Sequence, residues 1–199
     1  PLDNLYGIAV FSRLPMRAGV EFLVQDDIPS VHGTVELADG SPLQFHAVHP
    51  RPPMPGEYHS SAPRDAELVL LGQRIRNARN ENGAVPTLVV GDLNDVAWSK
   101  TTRLFLRLSG LLDPRRGRGM FNTFHANYPP IRFPLDHGFI SEDLRLVEIR
   151  RLPHCGSDHF PVLFVLEYDP IAAAQQAGAA AEPGDIAMAH EKLRVEAQH

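Results

Sequence analysis

The chain has 199 residues, 43% hydrophobic and 22% charged, with a formal net charge of −5, which fits one globular domain and excludes a global positive field for non-specific nucleic-acid binding. Eighteen prolines and 15 glycines argue against a helical bundle or coiled coil and for short elements joined by turns. The lone Cys155 excludes an internal disulfide framework or a cysteine-based structural zinc site, and no apolar run reaches the length of a membrane span.

In chain order, Gly7 to Ser12 reads as a short buried strand followed by the turn-like Arg13-Leu14-Pro15. A chain that opens almost at once inside a core strand is expected to lack earlier elements of its fold. Val31 to Leu37 and Leu43 to His49 alternate, and Asp39-Gly40 between them signals a hairpin. A proline-rich loop from Pro50 to Pro63 leads into a helix over about Arg64 to Asn80, where Leu68, Leu71 and Ile75 recur at helical spacing before Gly83. Thr87 to Val90 is a short strand that exits into Gly91-Asp92-Leu93-Asn94. Ser99 caps a helix ended by Gly110, and strands are expected over Leu135 to Ile140, Leu144 to Leu152 and Phe160 to Glu167. Residues 1–169 form the expected domain, and 170–199 an Ala-rich linker with a weak helical stripe of Ile186, Ala189, Leu193 and Ala197. A mobile tail fits that last stretch equally well.

Four polar stretches interrupt this pattern where chemistry is expected. Asp92 and Asn94 lie two residues apart at a strand exit, so a carboxylate and an amide can reach one small ligand; a turn with side-chain-to-backbone hydrogen bonds fits the same residues. Ser157-Asp158-His159 places a hard oxygen ligand beside an imidazole, and a capping Asp with a surface His fits it as well. Asp136 breaks an apolar strand and needs a cationic, histidine or metal partner, His159 or Arg132. His46 and His49 have opposite strand parity, so only one faces a cleft; His49, at the strand end before Pro50, is the better placed. Arg115, Arg116 and Arg118 form a phosphate-contacting loop or a solvated one, Trp98 stacks on a ring or anchors its helix, and Cys155 reads as a small packed residue.

In that order, Gly91-Asp-Leu-Asn94, Leu135-Asp-His137 and Gly156-Ser-Asp-His-Phe-Pro-Val162 resemble the endonuclease/exonuclease/phosphatase (DNase I-like) superfamily over about Gly7 to Tyr168. The stretch Asp92 to Ser99 is similar to a bacterial, often membrane-tethered, branch. The resemblance implies an α/β four-layer sandwich of two mostly antiparallel mixed sheets flanked by helices, with the N-terminal strand and helix missing. It implies hydrolysis of a phosphodiester or phosphomonoester with Mg²⁺ or Mn²⁺. Asp92 would orient or deprotonate water, Asn94 would position it, His159 held by Asp136 would stabilise the transition state, and His49 would touch phosphate. Asp158 and Asp92 would serve the metal.

The family's early Asn and its Gln-Glu motif do not precede Gly7, and Glu21 reads as a solvated strand residue. Little activity is therefore expected of this stretch alone. The substrate class stays open among nucleic acid, lipid headgroup and soluble ester, and the resemblance implies a membrane tether upstream. The rival reading is a non-catalytic binding or scaffold domain that retains the fold.

Overall fold

The computed structural model describes residues 6–53 and 60–197. Strands β1 (Met16–Glu21), β2 (Ser30–Glu36), β3 (Pro42–Ala47), β4 (Thr87–Asp92) and β5 (Asp136–Ile140) form one mixed five-stranded sheet in that order. Only β3 and β4 are parallel neighbours, as helix α1 (Ala62–Asn82) requires by returning the chain across the sheet. Helix α2 (Lys100–Ser109) follows β4, and β6 (Leu144–Arg151) and β7 (Val162–Tyr168) make a second, antiparallel sheet. A 3₁₀ turn at Ala172–Ala174 precedes helix α3 (Asp185–Glu196).

Local sequence explains the joints. Gly40 takes a φ of 84° in the β2–β3 hairpin, where the Ser41 amide donates to Asp39 Oδ1 at 2.9 Å. Ser99 accepts from the Thr102 amide at 2.9 Å to cap α2, and Gly110 ends it at a φ of 72°.

Strand alternation then sorts the core. Val31, Phe45, Ala47 and Val90 cluster together; Val48 and Val89 instead pack with Leu68, Leu71 and Ile75 of α1, Phe105 and Leu106 of α2, and Phe139 of β5. The β7 ring of Phe164 lies against Gly138 of β5, where a Cβ would approach it to 2.8 Å. The fold is α/β, two packed sheets flanked by helices, as the sequence led us to expect. Among the described residues no helix is long and apolar enough to cross a membrane.

Three expectations change. Residues 7–12 form no strand: Ile8 and Val10 alternate onto the Val31–Phe45–Ala47 cluster, but among the described residues no ladder partner pairs them, and Phe11 is 94% exposed. Among the described residues β1 is one edge of the sheet, and its Glu21 pairs with Arg74 at 2.6 Å. Cys155 is exposed, because it lies in the β6–β7 connection, clear of the core. The tail helix docks on α1 and α2: Ala189 is buried with Val69, Leu104 and Leu108, while Ile186 of the expected stripe points outward at 57% exposure. Part of the proline-rich loop, residues 54–59, lies outside the described residues.

Candidate active site

The site forms where β3 and β4 end and the antiparallel β5 begins. Gly91 lets β4 approach the chain beyond β3: its φ is 149°, and a Cβ there would lie 1.8 Å from the Val48 carbonyl oxygen. That close approach brings His49 beside Asp92, with Nε2 3.8 Å from Oδ2. Asp92 then opposes Asp136 across the β4–β5 ladder. Beyond Asp92 the chain turns sharply, and Asn94 adopts a φ of 48°, a conformation Asn tolerates better than most side chains. Its amide N–H donates to Asp92 Oδ1 at 2.8 Å, and its Nδ2 donates to the Pro50 carbonyl at 2.9 Å.

His159 arrives from the chain just before β7. Its Nδ1 donates to Asp136 Oδ2 at 2.7 Å, leaving Nε2 3.6 Å from Asp92 Oδ2. The ring lies 5.0 Å from that of Phe124, whose backbone bridges both His159 and Phe133. Arg132, the other candidate partner of Asp136, instead donates to the Ala126 carbonyl at 3.2 Å. The gaps from Asp92 to the two imidazoles are too long for direct hydrogen bonds.

Electrostatics divide the groups. Burial and the Asp136 charge push Asp92 up to about 6, against the pull of the Asn94 N–H and His159. Burial would raise Asp136, but hydrogen bonds from His159 and Thr123 hold it below the ordinary carboxylate range. Burial would lower His159, yet its bond to Asp136 and the charges of Asp136, Asp92 and Asp158 raise it. His49 is lowered, first by burial and then by His159. The site therefore holds a carboxyl raised toward neutrality, one imidazole shifted toward its protonated form and one shifted toward its neutral form.

The other expected residues sort by exposure. Asp158 is exposed, and its carbonyl accepts from the Ala126 amide at 2.6 Å. His46 faces away from the site, buried and paired with His32 through Nδ1 atoms 2.8 Å apart. Arg115 is buried and bidentate to Asp113, so only Arg116 and Arg118 of that loop are exposed. Trp98 lines a cavity of about 270 Å³ with Arg115 and Arg116.

Sequence reasoning missed the groups that hold the loop. His137 Nε2 donates to the Asp95 carbonyl at 2.8 Å while its Nδ1 accepts from Arg115 Nη2 at 2.5 Å, which sets its tautomer. Arg64 Nη1 donates to the Asn94 carbonyl at 2.6 Å. The available signal was weak: a second polar residue in the β5 strand, and a charged pair opening α1.

A model of the Endonuclease/Exonuclease/phosphatase family matches residues 1–159. The chain belongs to that family. No curated protein sequence matches it. Among solved structures, a mannosyl-6-phosphatase, Bt3783 of Bacteroides thetaiotaomicron, is similar at a TM-score of 0.57 and 19% identity, covering 76% of this chain and 66% of that one. The human Nocturnin catalytic domain with bound sulfate is similar at 0.59 and 18% identity, covering 78% and 60%. Truncated Caenorhabditis elegans TDP2 is similar at 0.53 and 13% identity, covering 75% and 64%. At these identities the likeness shows the fold, and the chain spans under two thirds of the length of each.

The family relation raises the question of a divalent cation. Among the described residues no three His, Cys, Asp or Glu side chains are grouped to hold a metal ion. The donor chemistry fits a hard cation even so: burial and the charges of Asp136 and Asp158 raise Asp92 despite the Asn94 N–H and His159, and a cation there would offset them. An ion that keeps much of its water needs only one or two carboxylates besides a substrate phosphate.

Proposed function

We propose that this protein is a divalent-metal-dependent phosphoesterase that hydrolyses a phosphodiester or phosphomonoester by in-line attack of water. The observation that carries the reading is one part-buried carboxylate, Asp92 at about 6, set 3.6 and 3.8 Å from His159 and His49. The family, and neighbours whose names include a mannosyl-6-phosphatase, support a phosphoester as the substrate.

Phosphoryl transfer demands positioning and charge stabilisation more than covalent chemistry. Asp92 orients the attacking water and takes its proton, which a carboxyl poised near 6 does well. Asn94 fixes that carboxylate through its N–H, and its side-chain amide ties the turn to the Pro50 carbonyl beyond β3. The His159 imidazolium, held by Asp136, donates from Nε2 to the phosphoryl oxygen that gains charge. Neutral His49 completes the phosphate's surroundings. Mg²⁺ or Mn²⁺, with Asp158 and Asp92 as its protein donors, would polarise the phosphoryl group and lower the pKa of water.

Release of phosphate or alcohol from a panel of nucleic acid, lipid headgroup and sugar phosphate esters, with Mg²⁺, Mn²⁺ or EDTA, tests this. Cation-dependent turnover that falls in Asp158→Ala is expected. The rival reading is a non-catalytic binding domain; no release from any ester of the panel with either cation would support it.

A further inference from the structure

The family match ends at residue 159, yet the last helix of the chain reaches the frame of the site. Asp185, at the start of α3, is buried and held by Arg107 of α2 through three contacts of 2.8 to 3.1 Å. Farther along α3, Lys192 Nζ donates to Asp65 Oδ2 at 2.6 Å. Asp65 Oδ1 accepts from Arg64 Nε and Nη2 at 3.1 and 2.9 Å. The remaining arm of the guanidinium, Nη1, donates to the Asn94 carbonyl at 2.6 Å, and Nη2 lies 3.7 Å from Asp95 Oδ1.

Two features make this more than a surface ion pair. Arg64 and Asp65 are 11% and 10% exposed, where salt screens little. The loop they hold also needs holding, because Asn94 sits at a positive φ that costs energy outside glycine. Two successive carbonyls of the loop are each clamped, that of Asn94 by Arg64 and that of Asp95 by His137. Asp65, shared between two cations, fixes the plane of the planar Arg64 fork and so the direction of one clamp.

We propose that α3 is a positioning element for the loop Gly91–Asp95, acting through Lys192, Asp65 and Arg64 on the backbone of Asn94 and Asp95. This rests on reading that loop as catalytic. Lys192 and Arg64 are positioning residues, since their contacts are with Asp65, Asp95 and backbone. A neighbour that lacks this helix must hold its loop by other means.

Lys192→Met keeps the aliphatic stem and removes the charge. In the full chain it is expected to lower kcat about three- to thirty-fold with KM unchanged. Amide hydrogen exchange of Leu93, Asn94 and Asp95 is expected to quicken while that of the β2–β3 hairpin stays as in the wild type, and Lys192→Arg is expected to restore both. Wild-type kcat and wild-type loop exchange would overturn the proposal. So would faster exchange spread evenly over the loop, α1, α2 and the hairpin, which marks a merely structural role. If Lys192→Met does not fold, Asp65→Asn is put to the same readings. Should the wild type turn over no phosphoester, the functional reading fails, and the exchange measurement still decides this one.

Discussion

Asp92 is pulled in two directions, upward by burial and by Asp136, downward by the Asn94 N–H and His159. In metal-free protein its carboxyl is expected to titrate near 6 by carbon-detected NMR. Added Mg²⁺ should move that midpoint down, because a cation favours the ionised form; a midpoint indifferent to saturating Mg²⁺ would remove Asp92 from the metal's donors. His159 is expected to titrate above its ordinary 6.5, and Asp136→Asn should bring it down by removing the bond and charge that raise it. Replacing His159 by Gln should cost about 10²- to 10⁴-fold in turnover. The need of Asp136 for a partner was legible in the sequence, since an unpaired carboxylate in an apolar strand is costly. Arg64 and His137 were not, because their partners are main-chain carbonyls of a loop distant in sequence. Cys155 misled for a related reason: a small apolar-like residue does not reveal that its loop stands clear of the core.

At the scale of elements, Gly91 and Arg107 are the places where one change should do most. Gly91→Ala would drive a methyl group into the Val48 carbonyl. A loss of at least about 3 kcal/mol in urea unfolding is expected, with separation of β3 from β4. Arg107→Ala would strand the buried Asp185 carboxylate; about 3 kcal/mol is expected there, with α3 the first region to lose exchange protection. The β2–β3 hairpin, the Ser99 cap and the strand leading to Asp92 were all readable, because each is set by neighbours in sequence: an Asp-Gly turn, a capping hydroxyl, a short apolar run. Residues 7–12 looked equally apolar, but a strand exists only where another offers its hydrogen bonds. The docking of α3 was legible in part: Ala189 and Leu193 of the stripe pack inward, but Ile186 faces outward and Met188, off the stripe, joins the contact.

Across the whole molecule, three buried groups outside the reacting centre set how stability follows pH. His46 and His137 are pushed down to about 3, both chiefly by burial. Unfolded histidines take up protons below their ordinary 6.5 while these two stay neutral, so the stability they confer is present above 6.5 and lost as pH falls toward 3. Glu67 behaves oppositely: burial raises it to about 7, opposed by its bond from Ser30. Its contribution is full below 4.5 and is lost as pH rises through about 7. Glu67→Gln should therefore add up to about 3 kcal/mol of stability at pH 8 in urea titrations and leave the acid side unchanged. An equal change at every pH would contradict that assignment. These costs lie in the frame, whereas the proposed chemistry belongs to Asp92, the carboxylate that the frame presents. Its most direct test is the rate of phosphoester hydrolysis by the wild type against Asp92→Asn, in Mg²⁺ or Mn²⁺, on the best ester of the panel. Loss of about 10²-fold or more in the folded variant is predicted; equal rates in the two proteins would contradict it.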